Sequence, residues 1–420
     1  MRKALLLTAF PMLCLGPYTH AATWYVDASV VSSGDGTSWE TPFKTIQEGI
    51  DATSEGDAVI VGPGTYPESI QFKGTNILLT STNPLDPDTV GQTLIHESGP
   101  GAAVTFDGTE HEGCVLRGFA IRDGYWRSGG AIDGNETLAT IADNLITNNS
   151  ASSEGGAIVG CHGVIRNNVI SGNWGYYAGG ALAYCDGLIE NNIITGNCVG
   201  PGGPPSQSLS AGSGEHPTDV PTEVRPGAGL YRCDGVIRNN VIVGNNARGF
   251  NGGIFMIEGW GGGLAGCNGV IEGNVIRDNY ADMGDGGGLY SCNGVIRNNT
   301  IVSNRADNGG GLSACDGIIR SCIVFGNTAP FAGAQVHASS DPTYSCIQDW
   351  TGGGEGNVNL DPRFVDAENG NFRLRVDSPC IDAGFNSPDL AEFDIAGMHR
   401  IMFGGKSLTV DMGAYEFYIN

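Results

Sequence analysis

One pattern recurs six times between Gly155 and Asn327, and it constrains the fold more than any other feature. The copies are GGAIVGCHGVIRNNVISGN from Gly155, GGALAYCDGLIENNIITGN from Gly179, GAGLYRCDGVIRNNVIVGN from Gly227, GGGLAGCNGVIEGNVIRDN from Gly261, GGGLYSCNGVIRNNTIVSN from Gly286 and GGGLSACDGIIRSCIVFGN from Gly309. Weaker copies begin at Cys114 and Gly129. A unit of about 24 residues built from short β-branched runs cannot bury its apolar face alone, so the units must stack. Leucine-rich repeats have a similar length, but their L-x-x-L-x-L frame is absent. Strands stacked in parallel lie about 4.8 Å apart, so each repeat is expected to form one turn of a parallel β-helix. Asn168, Asn192, Asn240, Asn274 and Asn299 share one register, as an asparagine ladder at a left-handed turn requires.

Cys161, Cys185, Cys233, Cys267, Cys292 and Cys315 share another register. A thiolate metal site needs convergent ligands, which a row along a solenoid does not offer. Parallel in-register side chains also suit a disulfide poorly. A buried stack of small apolar thiols is the expected arrangement.

The first 22 residues read as an export leader. Arg2 and Lys3 precede the apolar run Ala4–Leu15, and Thr19-His20-Ala21-Ala22 offers a small-residue cleavage region. The run is too short to span a bilayer. Of 12 cysteines, only Cys14 falls in this leader, so an odd number is left behind it. The formal charge of −24 is the wrong sign for binding nucleic acid or an anionic membrane. A secreted or cell-surface location and a single chain are expected, and a polyanionic substrate would need cation bridges or a local cluster of arginines.

The I-x-x-N-x-I-x-x-N pattern behind a Gly-rich strand resembles the repeat of the pectate-lyase-like, right-handed parallel β-helix superfamily. So does the opening WYVDASVVSSGDGTSWETPFKTIQEGIDATSEGDAVIVGPGTYPESI, where Phe43, Ile46 and Ile50 lie at helical spacing. The run TYSCIQDWTGGGEGNVNLDPRFVDAENGNFRL, with SPCIDAG and VDMGAYEF after it, is similar to the closing segment of secreted bacterial β-helix proteins. The resemblance implies an all-β, right-handed solenoid over residues 57–346. An N-terminal cap at 23–56 would carry a short helix, and a closing segment would occupy 347–420. The superfamily includes lyases, glycoside hydrolases, esterases and non-catalytic adhesins, so fold alone does not select an activity.

Chemistry is expected where the repeat varies. The connection from the closing Asn to the next Leu or Ile is short from Asn149, Asn173, Asn279 and Asn304, but long from Asn197 to Leu230 and from Asn245 to Leu264. These insertions, near 198–228 and 246–260, fall on one flank of the cylinder, as binding loops on a rigid scaffold commonly do. The first carries Glu215, His216, Asp219, Glu223 and Arg225; the second carries Phe250, Phe255, Met256, Glu258 and Trp260. Trp126, Trp174, Tyr176, Tyr177 and Tyr280 lie at the same turn, with Tyr125 beside them. Two readings stand for these aromatics: stacking on sugar rings, or packing beneath the excursions.

Asp282 and Asp307 each follow a closing Asn by the same interval, with Asp285 and Glu258 nearby. Stacked carboxylates repel unless a cation bridges them or one is protonated. Calcium held by Asp282, Asp285, Asp307 and Glu258 is one reading, and an acid/base pair spaced as in retaining glycosidases is another. A solubilising charge ladder is the third. Arg248 and Arg305 would neutralise these acids or act as the base of a lyase. The alternating column Arg117, Arg166, Glu190, Arg238, Glu272, Arg297 and Arg320 reads as surface pairing. The strand beside the variable turn is mostly Gly, Ala, Ser and Tyr, with Asp133 and Arg232 as its charged exceptions, and matches no complete lyase motif. The expected function is binding, with or without cleavage, of extracellular acidic polysaccharide; the alternative is a non-catalytic adhesin-type solenoid.

Overall fold

The computed structural model describes residues 22–96, 101–203, 225–251 and 256–418. The expected leader lies outside these residues, apart from Ala22. So do Glu215, His216, Asp219 and Glu223 of the first excursion and Phe255 of the second.

The chain is a right-handed parallel β-helix. A complete coil contributes a strand in turn to four sheets, illustrated by Ile158–Cys161, Val164–Arg166, Val169–Ser171 and Trp174–Gly175. We call the sheet through Val164–Arg166 sheet I, that through Val169–Ser171 sheet II and that through Ile158–Cys161 sheet III; sheet IV runs through Trp174–Gly175. They contain 11, 11, 10 and 6 described strands, all parallel within each sheet. Register holds residue by residue: Ile141, Ile165 and Ile189 stack in sheet I, and Ile146, Ile170 and Ile194 in sheet II. Leu182, Leu230 and Leu264 do so in sheet III.

Each three-residue strand turns its middle residue inward, because side chains alternate across a strand. The core is therefore a set of aliphatic columns, closed by a column of fully buried cysteines from Cys161 to Cys315. Every described cysteine is a buried free thiol. In the column they donate to nearby carbonyls, as Cys185 does to Ala183 at 3.4 Å and Cys315 to Ser313 at 3.4 Å.

Two asparagine ladders turn the corners. One runs through Asn144, Asn168, Asn192, Asn240, Asn274 and Asn299 between sheets I and II. The other runs from Asn149 through Asn173 to Asn327 between sheets II and IV. The left-handed residue is the one before the first ladder's Asn, such as Asn167, Asn191 and Asn239. The ladder residue itself points inward and completes the hydrogen bonds of the corner.

Asn240 shows the density of these bonds. Its Oδ1 accepts from the backbone N and Nδ2 of Asn192, at 2.9 and 3.0 Å. Its Nδ2 donates to the Ile189 and Arg238 carbonyls and to Asn274 Oδ1. Asn240→Ala is expected to cost roughly 1–3 kcal/mol through the buried groups it strands. Thermal unfolding measures this, and a wild-type melting temperature would remove the ladder from the energetic account.

At the N-terminal end, the helix α1 (Ile46–Ala52) starts at a Thr45–Glu48 capping box. It buries Ile46 and Ile50 in the main core with Val26 and Val59. Phe43, expected on this helix, precedes it: its N–H donates to Tyr25 O and its ring stacks on Trp24 at 5.9 Å. At the other end, Ile347 enters the core and Trp350 packs against it.

The C-terminal segment does more than close the end. It folds back along the outer corner between sheets I and II. Asn298 Nδ2 donates to Asp411 O, Gly413 N to Ser321 O and Ala414 N to Thr300 Oγ1. Arg297 binds both Glu272 and Asp389 there, and the Arg297 and Glu272 side chains are only 5% and 6% exposed. That pair was expected on the surface; the returning segment buries it. Arg238–Glu190 keeps the partly exposed form. Among the described residues, no helix is long and apolar enough to cross a membrane.

Candidate functional site

The corner between sheets III and IV lies across the cylinder from the returning segment and carries both excursions. Its shape follows from the Gly-rich turn opening each repeat. Gly286 has φ +70, and a Cβ there would meet Leu289 O at 2.3 Å and Tyr290 Cβ at 2.8 Å. Glycine thus lets the turn lie directly against the outward row of sheet III. That row reads Val159, Ala183, Tyr231, Ala265, Tyr290, Ser313 and His337 in strict register. It is a floor of small side chains interrupted by tyrosines.

Sequence reasoning did not single out Tyr184, Tyr231 or Tyr290. Tyr184 and Tyr231 meet edge to face at 5.5 Å, and the Arg232 guanidinium lies over Tyr231 at 5.2 Å. Tyr290 packs on Trp260, ring centroids 4.6 Å apart. The available signal was position: all three tyrosines stand one or two residues before the repeat cysteine, where the other copies carry mostly Ala, Gly or Ser.

Three successive coils bring Glu258, Trp260, Tyr280, Asp282, Asp285, Arg305 and Asp307 to the same flank. Trp260 Nε1 donates to Glu258 Oε2 at 3.0 Å, and the Tyr280 hydroxyl donates to Asp282 Oδ1 at 2.7 Å. Asn308 Nδ2 donates to Asp285 Oδ1 at 2.9 Å, and Arg305 lies over the Tyr280 ring at 5.3 Å.

Asp282 and Asp307 were expected to share a register, but the register breaks between them. Pairing runs to Tyr280 with Arg305 and resumes at Asp285 with Asn308. Asp307 N donates to Gly284 O, so Asp307 slips forward to lie between Asp282 and Asp285. Burial raises the Asp307 pKa from its ordinary value, helped by Asp282 and Asp285 and opposed by Arg305. Burial also pushes the Tyr280 hydroxyl up to about 12, with the accepting Asp282 next in effect.

The remaining expected residues lie elsewhere. Trp174 is 5% exposed and donates to Gly200 O at 2.9 Å, so it offers no face to a ligand. It meets Tyr176 edge-on at 5.9 Å, Tyr176 meets Tyr177 at 4.9 Å, and buried Arg225 lies over both tyrosines. These residues form a packed cluster at the base of the long excursion, the second of the two readings. Arg248 donates to Gly203 O at 3.2 Å rather than to the acids. Trp126 is exposed, on an earlier coil. Among the described residues, no three His, Cys, Asp or Glu side chains converge as a metal ion requires. Asp282, Asp285, Asp307 and Glu258 therefore form no ready-made calcium cage.

No protein-family model matches the chain, and no curated protein is similar to it in sequence. Among solved structures it is similar to the crystal structure of pectate lyase Pel9A, with 15% identity and TM-score 0.54; the match covers 95% of this chain and 97% of that one. A second match is the structure of XylC in complex with xylose, at 10% identity and TM-score 0.42, covering 94% and 98%. The likeness to the pectate lyase is one of fold.

Proposed function

We propose that the protein is exported and binds an extracellular acidic polysaccharide along the corner between sheets III and IV. The observation that carries this reading is the aligned set of part-exposed rings over a small-residue floor: Tyr184, Tyr231, Tyr290 and Trp260. Flat aromatic surfaces suit the C–H faces of sugar rings, and a row of them suits a chain of sugars. Arg232 and Arg305, both exposed beside the rings, supply local positive charge for carboxylates. Similarity in fold to a pectate lyase agrees with this substrate class.

Cleavage is the finer part of the proposal. Asp307 retains its proton more strongly than an ordinary carboxyl and is the candidate acid; Asp282 and Arg305 are its candidate partners. Calcium enters only as a bridge between these acids and the uronate carboxylates, since the protein side chains alone form no cage.

Trp260→Ala and Tyr290→Ala should each weaken retention on an immobilised uronate polysaccharide by roughly tenfold, the loss of one stacking contact of about 1–2 kcal/mol. Phe403→Ala removes a more exposed ring outside the flank and should change nothing. Retention unchanged in both flank variants across a panel of uronate glycans would overturn the proposal. Ultraviolet-absorbing unsaturated products would mark a lyase, and new reducing ends without that absorbance a hydrolase.

A further inference from the structure

The cysteines are not equivalent. Those in the column project in parallel from successive coils, a disposition that suits neighbouring thiols poorly for a disulfide. Cys322 is similarly occupied, donating to Arg320 O at 3.2 Å. Cys346 and Cys380 differ in origin and setting. Cys346 belongs to the last strand of sheet II, whereas Cys380 belongs to the returning C-terminal segment. Both are fully buried in a small cluster with Ile323, Leu374, Ile381 and Met412, separate from the main core. Cys346 Sγ donates to Leu360 O at 3.2 Å, and the two side chains enter this one cluster from two chain segments rather than in parallel.

We propose that Cys346 and Cys380 form a disulfide that staples the C-terminal segment to the last coil. The co-reactant is a disulfide oxidant, either a small molecule such as oxidised glutathione or the disulfide of an exchange catalyst. The Cys346 thiolate attacks one oxidant sulfur, breaking the oxidant's S–S bond and releasing one thiolate. Cys380 then loses its proton to solvent, and its sulfur attacks the Cys346 sulfur of the mixed disulfide, releasing the second thiolate. Two protein thiols and one disulfide thus become one protein disulfide and two thiols. The exchange balances equally with the roles of the two sulfurs reversed. Both sulfurs are sealed from solvent, so exchange accompanies docking of the segment or its transient opening. Once formed, the bond holds in place the residues that clasp the outer corner, including Asp389, Asp411 and Gly413.

The test is a non-reducing peptide map of the full chain, purified without reductant and equilibrated with oxidised glutathione. A single linked peptide containing Cys346 and Cys380 is expected, lost on treatment with dithiothreitol. After denaturation, the column cysteines should alkylate as free thiols. Oxidation should also raise by several degrees the temperature at which protease clips the C-terminal segment. Cys380→Ser should abolish that gain and Cys198→Ala should retain it. If Cys346 and Cys380 both alkylate in the oxidised sample, or link to other cysteines, the proposal is overturned. The map is read on the wild-type chain, so it decides the matter even if Cys380→Ser folds poorly.

Discussion

Gly269→Ala is expected to damage the solenoid severely, costing about 4 kcal/mol or more. Gly269 stands two residues after the repeat cysteine, at the corner between sheets III and I. A Cβ there would lie 1.9 Å from Gly235 O and 2.1 Å from Asp234 O of the neighbouring coil. Gly187, Gly235, Gly294 and Gly317 occupy the same position, each with backbone oxygen of the adjacent coil at 1.9 to 2.1 Å from its hypothetical Cβ. The obstacle is main chain, so no side chain can rotate away, and the coils would have to separate at a corner where their spacing is set by hydrogen bonds on both sides. Gly244→Ala provides the contrast: its φ is +65, but its Cβ would meet nothing within 4 Å. Only backbone strain of about 1–2 kcal/mol is expected there. Thermal melts of both variants make the comparison. Similar melting temperatures would show that coil spacing does not impose glycine at this corner.

Such columns explain why the architecture was legible before any coordinates. In a stack, each position must meet its own copy one coil away, so a residue that solves a local problem recurs at the repeat interval. The inward Ile columns, the Asn ladders and the Cys column were all readable for that reason. The returning C-terminal segment obeys no such rule. Arg297 and Glu272 sit in a column that continues, part-exposed, as Arg238 and Glu190; only Asp389, distant in sequence, distinguishes the pairs by covering one of them. Phe43 fitted a helical spacing, but the helix waits for its cap at Thr45.

The candidate site was legible as a flank and not as a list. Trp174 and Trp260 occupy the same turn and look alike in sequence. Trp174 is enclosed because the chain continues past it to a carbonyl acceptor at Gly200, whereas Trp260 finds its acceptor in Glu258, two residues away. The slip of Asp307 came from extra residues around Met283 and Gly284, which counting from the closing Asn does not detect. Tyr184, Tyr231 and Tyr290 were passed over because they interrupt positions filled mostly by small residues.

Alkaline pH is expected to loosen the C-terminal segment from the outer corner. Asp411 and Glu416 are 1% and 6% exposed. Burial pushes Asp411 up to about 7, with nearby Asp382 adding to the rise and Arg400 opposing it. Burial pushes Glu416 up to about 9 although Arg400 Nη1 lies 3.3 Å from its Oε1, with Asp411 adding to the rise. In the detached chain both carboxyls ionise near pH 4. Between about 4 and 9 the docked segment therefore holds more protons than the detached one, and docking weakens as pH rises through that interval. A tenfold displacement of a proton equilibrium is about 1.4 kcal/mol, so the two groups together withdraw several kcal/mol by pH 9. Limited proteolysis in reductant should show the segment protected at pH 5 and progressively clipped toward pH 9. Asp411→Asn keeps only one of the two oxygens that accept from the N–H groups of Asp382 and Phe417, so it should lower protection at every pH; because it cannot ionise, it should also flatten the part of the profile below about pH 7. Protection that is constant, or that increases with pH, would mean that these carboxyls are ionised in place and that Arg400 and the backbone donors outweigh their burial.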